Sequence, residues 1–262
     1  MKSQDILILL KIISMHIDLN RQNFDSDTFH LYESKVDWGD MFEGQDTSGE
    51  SSADFSLAHV DDDILVVVED EWTEKGLKPS YNEESAIKSR FSVRNLEFLT
   101  GISKSQISLG LNRMYDVGLA KPDRRLAIPK VNTKALFDFI AFGIKYVFPA
   151  KEGELTRGIA TSIAAPVLKG KLMTSGEFPL VWPDPRGKTK GFAIEPLHSN
   201  IIRAVQLDSR LYAMLALVDA VRIGRPREHN LSLEKLKIIF EEVKWAKRLT
   251  YKKVCYWWLQ MH

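Results

Sequence analysis

The first sustained pattern in the chain is a block without alternation, Ile6-Leu7-Ile8-Leu9-Leu10-Lys11-Ile12-Ile13. Apolar residues on every side predict a helix buried all round, with Ser3 or Asp5 as its cap. The block falls short of the roughly 20 apolar residues a membrane span needs. Asp5 ahead of it, and no small-residue cleavage site behind it, argue against a secretory signal. Between Glu43 and Ser52 the periodicity vanishes, which predicts a loop. Ile64-Leu65-Val66-Val67-Val68 lies between Asp61-Asp62-Asp63 and Glu69-Asp70-Glu71, and predicts one short strand guarded by carboxylates. From Phe91 the pattern turns helical.

A second section starts near Val131. Its apolar helices are predicted over 134–143 and around Leu211–Val218, the latter capped by Asp208 or Ser209. The Pro- and Gly-rich stretch from Pro149 to Pro196 predicts turns and short strands, including Phe178–Trp182. The fold class expected is mainly α with small β elements, α+β. Three parts are expected: 1–130, carrying an acidic insertion at about 21–90; an α+β part at 131–243 for dimerisation or partner binding; and a basic aromatic tail at 244–262.

Residues 91–128 carry the most specific pattern. Ser92 caps a helix ending at Thr100, Gly101 supplies the turn, and Ser103 caps a second helix. Ile107, Leu111 and Met114 form that helix's buried face, opposed by Leu96, Leu99 and Ile102. A helix, a tight glycine turn and a second capped helix make a helix-turn-helix. Its second helix then exposes Lys104, Ser105, Gln106, Ser108, Asn112 and Arg113. Ser103, Ser105, Gln106 and Ser108 suit base edges, and Lys104 and Arg113 suit phosphates. Beyond Gly118-Leu119, two short extended arms around Lys121–Ile128 make a basic wing with Arg124 and Arg125 at its turn.

The segment resembles the winged helix-turn-helix of MarR-type bacterial transcription regulators. Leu96, Thr100-Gly101-Ile102-Ser103-Lys104-Ser105, Ile107-Ser108, Leu111, Arg113-Met114 and Gly118-Leu119 carry the resemblance, which covers about 40 of the 262 residues. Two residues depart from it. Glu97 stands where a small residue is usual, and Gly110 stands where a large apolar one is usual; a mid-helix glycine costs roughly 1 kcal/mol. Lys145–Lys151 and Leu155–Gly158 are similar to a family of uncharacterised bacterial helix-turn-helix proteins. In that family the first helix leads almost directly into the motif, which implies that 21–90 is an insertion. A winged helix followed by a second domain also resembles antitoxins of type IV, Abi-type systems.

Charge sharpens this picture. The chain has 36 Lys+Arg and 35 Asp+Glu, a net +1. Residues 21–90 alone hold 18 acidic and 6 basic side chains, a balance of −12, which leaves +13 elsewhere. A basic remainder fits a phosphate-rich partner, and the acidic stretch fits a repelling, shielding or partner-docking role. The reading is a cytoplasmic, sequence-specific regulator that binds double-stranded DNA, a homodimeric repressor with the apolar helices at 134–143 and 211–218 as candidate dimer surfaces. An antitoxin that neutralises a partner toxin and represses its own operon is the alternative.

Other constellations weigh little. Gly187-Lys188-Thr189 lacks the upstream glycine of a phosphate loop, since Trp182 stands there, so a basic turn between strands is expected. With Arg157, Lys169, Lys171, Arg186 and Lys190, it leaves a second phosphate-contacting surface open. The aspartates at 61–63 lack calcium-loop spacing. His16, His30, His59, His198, His229 and His262 form no metal spacing with one another or with Cys255, the one cysteine. No catalytic residue, cofactor or membrane partner is expected. Basic and aromatic residues interleave from Lys244 to Trp258; this suits nucleic acid, a membrane interface or a packing helix.

Overall fold

The computed structural model describes residues 1–22, 81–168 and 178–260, with side chains described at 1–20, 84–168 and 178–243. The loop at 43–52, the strand at 64–68 and Lys169 and Lys171 lie outside the described residues. So do most of the acidic segment and the side chains of the basic aromatic tail. Among the described residues the architecture is α+β, with helices dominant and sheets of two and three strands.

Helix α1 (Ser3–Gln22) forms where the unalternating block predicts it, and every apolar residue from Ile6 to Ile13 is at most 1% exposed. Neither expected cap stands before the helix. Asp5 instead works from inside the first turn, its carboxylate accepting the Lys2 backbone N–H at 2.7 Å, where the positive end of the helix favours it. The surrounding layer consists of α3 (Val93–Thr100), α4 (Lys104–Asp116), the strand β2 (Pro129–Val131), and two later helices, α8 (Ser209–Ile223) and α9 (Pro226–Gln260).

Polar groups swallowed with α1 are paired. Lys11, 5% exposed, donates to Asp208 at 2.9 Å, and Arg210 bonds both Asp18, at 2.5 Å, and the Ser14 carbonyl. Against α4 the approach is close. A Cβ on Gly110 would stand 3.0 Å from Asp5 Oδ1 and 3.3 Å from Ile8 Cδ1, so the glycine that weakens α4 as an isolated helix is what lets α1 lie against it.

Ahead of α3 runs α2 (Tyr81–Arg90), and after α4 comes β1 (Ala120–Pro122), antiparallel to β2 with Lys121 opposite Lys130. Asn132 then caps α5 (Thr133–Phe142), accepting the Ala135 N–H, and α6 (Ile144–Val147) follows. The strands β3 (Glu152–Ala160), β4 (Leu180–Pro183) and β5 (Thr189–Ile194) close on one another: β3 is antiparallel to both, and β4 and β5 pair in parallel. The Gly-Lys-Thr stretch lies at the β4–β5 turn, as expected for a basic turn. Helix α7 (Ile201–Gln206) leads to α8, capped by Asp208 rather than Ser209.

Helix α8 is core. Leu211, Tyr212 and Met214 to Arg222 are all buried, so within one chain this helix leaves no apolar face for a second copy. On α5, Leu136 and Ile140 face inward, and Phe142 at its end is an exposed apolar side chain. A buried polar cluster ties α8 to the strands. Asp219 accepts from Trp182 Nε1 at 2.6 Å, Thr161 Oγ1 at 3.0 Å and Arg222 at 2.7 Å, and Arg222 also donates to the Phe148 and Glu195 carbonyls. Burial pushes the Asp219 carboxyl up, against the pull of Arg222, Trp182 and Thr161. Tyr212, edge-on to Trp182, donates to the Ala160 carbonyl, and burial raises its phenol's pKa. The buried apolar residues form one cluster running from α1 through both halves.

Two stability predictions follow from this packing. Asp219→Ala strands the Arg222 charge in the core and is expected to lower unfolding stability by about 3–5 kcal/mol, read as a fall in the urea midpoint. Gly110→Leu, which installs a large apolar residue of the kind that the motif usually carries there, is expected to destabilise the fold by roughly 1–3 kcal/mol through overpacking against α1. A rise in melting temperature for Gly110→Leu would contradict the close approach.

Candidate nucleic-acid interface

The turn between α3 and α4 is built as its sequence predicts. Ser92 accepts the Asn95 N–H at 3.2 Å, and Gly101 closes α3 at φ 69°, a left-handed conformation that favours glycine. Crowding adds to that preference, because a Cβ on Gly101 would lie 2.9 Å from Asn200 Nδ2. Asn200 in turn donates to the Gly101 carbonyl at 2.6 Å, clamping the turn to the second half of the chain.

The cap of α4 differs from expectation. Ser103 occupies the cap position, but its hydroxyl makes no capping bond and lies 3.4 Å from Ser105 Oγ. Glu97 takes over: its carboxylate accepts the Lys104 backbone N–H at 3.2 Å and stands 3.6 Å from Lys104 Nζ. An anion at a helix N-terminus stabilises it, so the first residue that departs from the MarR-type pattern does the capping work.

The nine residues predicted to contact DNA separate into three groups. Ser103, Lys104, Ser105, Ser108 and Asn112 lie together on the solvent side of α4, opposite the buried Ile107, Gly110, Leu111 and Met114. Among the described residues, Ser108 and Asn112 make no side-chain hydrogen bond.

Gln106 and Arg113 are turned toward α1. Gln106 accepts from Gln4 at 3.1 Å, and Arg113 grips the fully buried Asp5 through Nε at 3.1 Å and a terminal nitrogen at 2.6 Å. That hydrogen bond raises the Arg113 pKa above its ordinary value. The guanidinium expected on a phosphate is thus engaged with the body as an internal tie.

Arg124 and Arg125 sit in the β1–β2 turn, where the Asp123 carboxylate accepts the N–H groups of Arg125 and Leu126. Arg124 is exposed and forms no ion pair among the described residues. Arg125 donates to Glu84 on α2 at 2.6 and 3.0 Å. Glu84 belongs to the described end of the acidic segment, so that segment does reach one basic residue of the turn. The pair is 68% and 38% exposed, a setting in which ion pairs contribute little.

Sequence reasoning missed two members of this surface. Leu109, 54% exposed, stands beside Ser105, Ser108 and Asn112, and Lys121 is exposed on β1. The signal for Leu109 was its place one residue before Gly110, off the Ile107–Leu111–Met114 stripe.

Behind the turn lies a cavity of about 140 Å³ lined by Ile13, His16, Leu126, Ile128, Val131 and Val243, among others. A cavity of this size holds roughly one benzene ring. No group of three His, Cys, Asp or Glu side chains that would hold a metal occurs among the described residues.

The Gly101 clamp is expected to depend on pH. His198 Nδ1 accepts the Asn200 N–H at 3.1 Å, which only the neutral ring does, and burial lowers the imidazole pKa from its usual 6.5. A depressed folded pKa gives stability that is complete above the unfolded value and lost as pH falls through the folded one. Urea titrations between neutral and mildly acidic pH are expected to show a loss below about 6.5 that His198→Asn removes; an unchanged slope in that variant contradicts it.

A comparison of the chain with protein families, curated proteins and solved structures finds no match.

Proposed function

We propose that the chain is a sequence-specific DNA-binding regulator that reads the major groove with α4 and holds the flanking backbone with the β1–β2 turn. The observation that carries this reading is the row Lys104, Ser105, Ser108 and Asn112. These side chains suit base edges and phosphates, and they stand on the side of α4 that is exposed among the described residues. The helix has 13 residues, about 20 Å, and the groove is about 12 Å wide and admits it.

Arg124, Arg125 and Lys121 supply charge beside it, where a wing would meet phosphate. Glu84 on Arg125 and Glu97 near Lys104 oppose that charge, and both pairs are exposed enough to yield to phosphate. A single motif reads one half-site, so a homodimeric repressor is the form proposed. No helix among the described residues is long and apolar enough to cross a membrane.

The test is footprinting and titration on DNA upstream of the chain's own gene. Ser108→Asp with Asn112→Asp is expected to weaken binding at least tenfold, and Arg124→Ala to reduce the salt slope by about one. Arg113→Ala is expected to lower the melting temperature, because it leaves Asp5 buried and unpaired. Binding unchanged within twofold by the two α4 substitutions would sink the proposal.

A further inference from the structure

The junction of α5 and α6 carries the two most exposed large apolar side chains among the described residues. Phe142 closes α5 and is 76% exposed; Tyr146, in α6, is 81% exposed, and Val147 beside it 51%. Gly143 between the helices keeps right-handed helical dihedrals. Residues three or four apart on helical backbone share a side, so the two rings stand together. Asp138, one turn before Phe142, and Lys145, almost one turn after it, are exposed on that same side. Neither forms an ion pair among the described residues.

The support under these rings is fixed. Ile140 and Ile144 are buried, and Phe139 meets Phe148 edge-on with centroids 6.4 Å apart. A Cβ on Gly143 would lie 3.1 Å from the Phe139 ring, and Arg222 holds the Phe148 carbonyl at 2.9 Å. Groups already held in place lose little freedom when a partner covers them.

Area and charge together select the partner. Apolar area in water raises the free energy, and covering a Phe or Tyr side chain removes about 150–250 Å². Two rings from each of two copies therefore supply about 600–1,000 Å² of the roughly 1,000 Å² that a specific interface clears. A polyanion or an anionic membrane would answer Lys145 and be repelled by Asp138. A second copy answers both. In an antiparallel crossing about a two-fold axis at Phe142, positions equally far before and after that residue face each other. Asp138 then lies opposite Tyr146 of the other copy, one residue from its Lys145, and the contact occurs twice.

We propose that the α5–α6 junction is the surface on which two copies of this chain pair, stacking Phe142 and Tyr146 and joining Asp138 of each copy to Lys145 of the other. The inference deepens the homodimer proposed above, and rests on that reading only for what the dimer does on DNA. Helix α8, the other apolar candidate, is buried within one chain.

The experiment is sedimentation equilibrium of the full chain without DNA, over a concentration series. Wild-type protein is expected to reach a dimer and no larger species, since a two-fold contact closes. Phe142→Asp is expected to raise the dissociation constant at least about tenfold. Asp138→Lys alone and Lys145→Asp alone are each expected to raise it about fivefold, and the two together to restore it within about twofold. All three positions are exposed, so circular dichroism spectra should match wild type, and recovery in the double variant shows that each single variant still folds. Register is read by mild oxidation. With the chain's one cysteine removed by Cys255→Ser, Phe142→Cys is expected to give a covalent dimer and Ser199→Cys, exposed elsewhere, to stay monomeric.

The proposal is overturned if wild-type protein stays monomeric at about 100 μM. It is equally overturned if Phe142→Asp dimerises within twofold of wild type, or if the charge-swapped pair is no better than its single variants. A monomer that binds operator DNA sinks the pairing and leaves the α4 reading standing. A dimer with these sensitivities that binds no DNA does the reverse.

Discussion

The structure depends on burying α1 from every side. A helix apolar all round has no face for water, so the chain must build a shell around it. That shell draws on α3, α4, β2, α8 and α9, elements from both ends of the sequence. Burial also takes in Asp5, Lys11 and Ser14, and such groups are costly unless they are bonded. The bonds they find decide how the shell is oriented. Arg113 reaches Asp5 from α4, Asp208 reaches Lys11 from the start of α8, and Arg210 reaches Ser14 and Asp18 from its first turn. Removing Arg113 leaves Asp5 charged and buried, and removing Asp208 does the same to Lys11, so these two pairs specify register as well as contribute energy.

Local packing accounts for the two residues that depart from the MarR-type pattern. Gly110 leaves room for Asp5 and Ile8, so the turn of α4 that carries Arg113 lies directly on α1. Glu97 supplies the cap that Ser103 does not make. Each breaks a local rule on its own helix and is compensated by a neighbour. The consequence for the surface is direct. With Gln106 and Arg113 drawn to α1, the exposed side of α4 is narrower and more hydroxyl-rich than its sequence suggests, and Lys104 is the basic residue of α4 left on it.

In the second half, the Asp219–Arg222 pair plays a matching part. Trp182 and Thr161 come from the strands, the Phe148 and Glu195 carbonyls from their flanks, and all meet on one turn of α8. This network joins the closed strands to the helical core and leaves their outer face to solvent. The Asn200–Gly101 bond carries the connection back to the turn between α3 and α4. The exposed side of α4 therefore rests on a body that draws on both halves of the chain.

Much of this was legible before any coordinates. Residue pattern and turn chemistry act within a few positions. The buried run at Ile6–Ile13, the Ser92 cap, the Gly101 turn, the Ile107–Leu111–Met114 stripe and the Asp208 cap could therefore be read locally. What could not be read were pairings over long separations. Arg113 on Asp5 spans 108 residues and Lys11 on Asp208 spans 197, and a lone arginine on a helix looks the same whether it faces phosphate or a buried carboxylate. Helix 211–218 was legible as apolar, but an apolar face fits a core and an interface equally, and only packing against α1, α7 and α9 made it core. Local chemistry determined which elements form and where they turn. Tertiary packing alone decided which charges are spent inside the body and which remain on the surface, because that choice belongs to both partners of each pair.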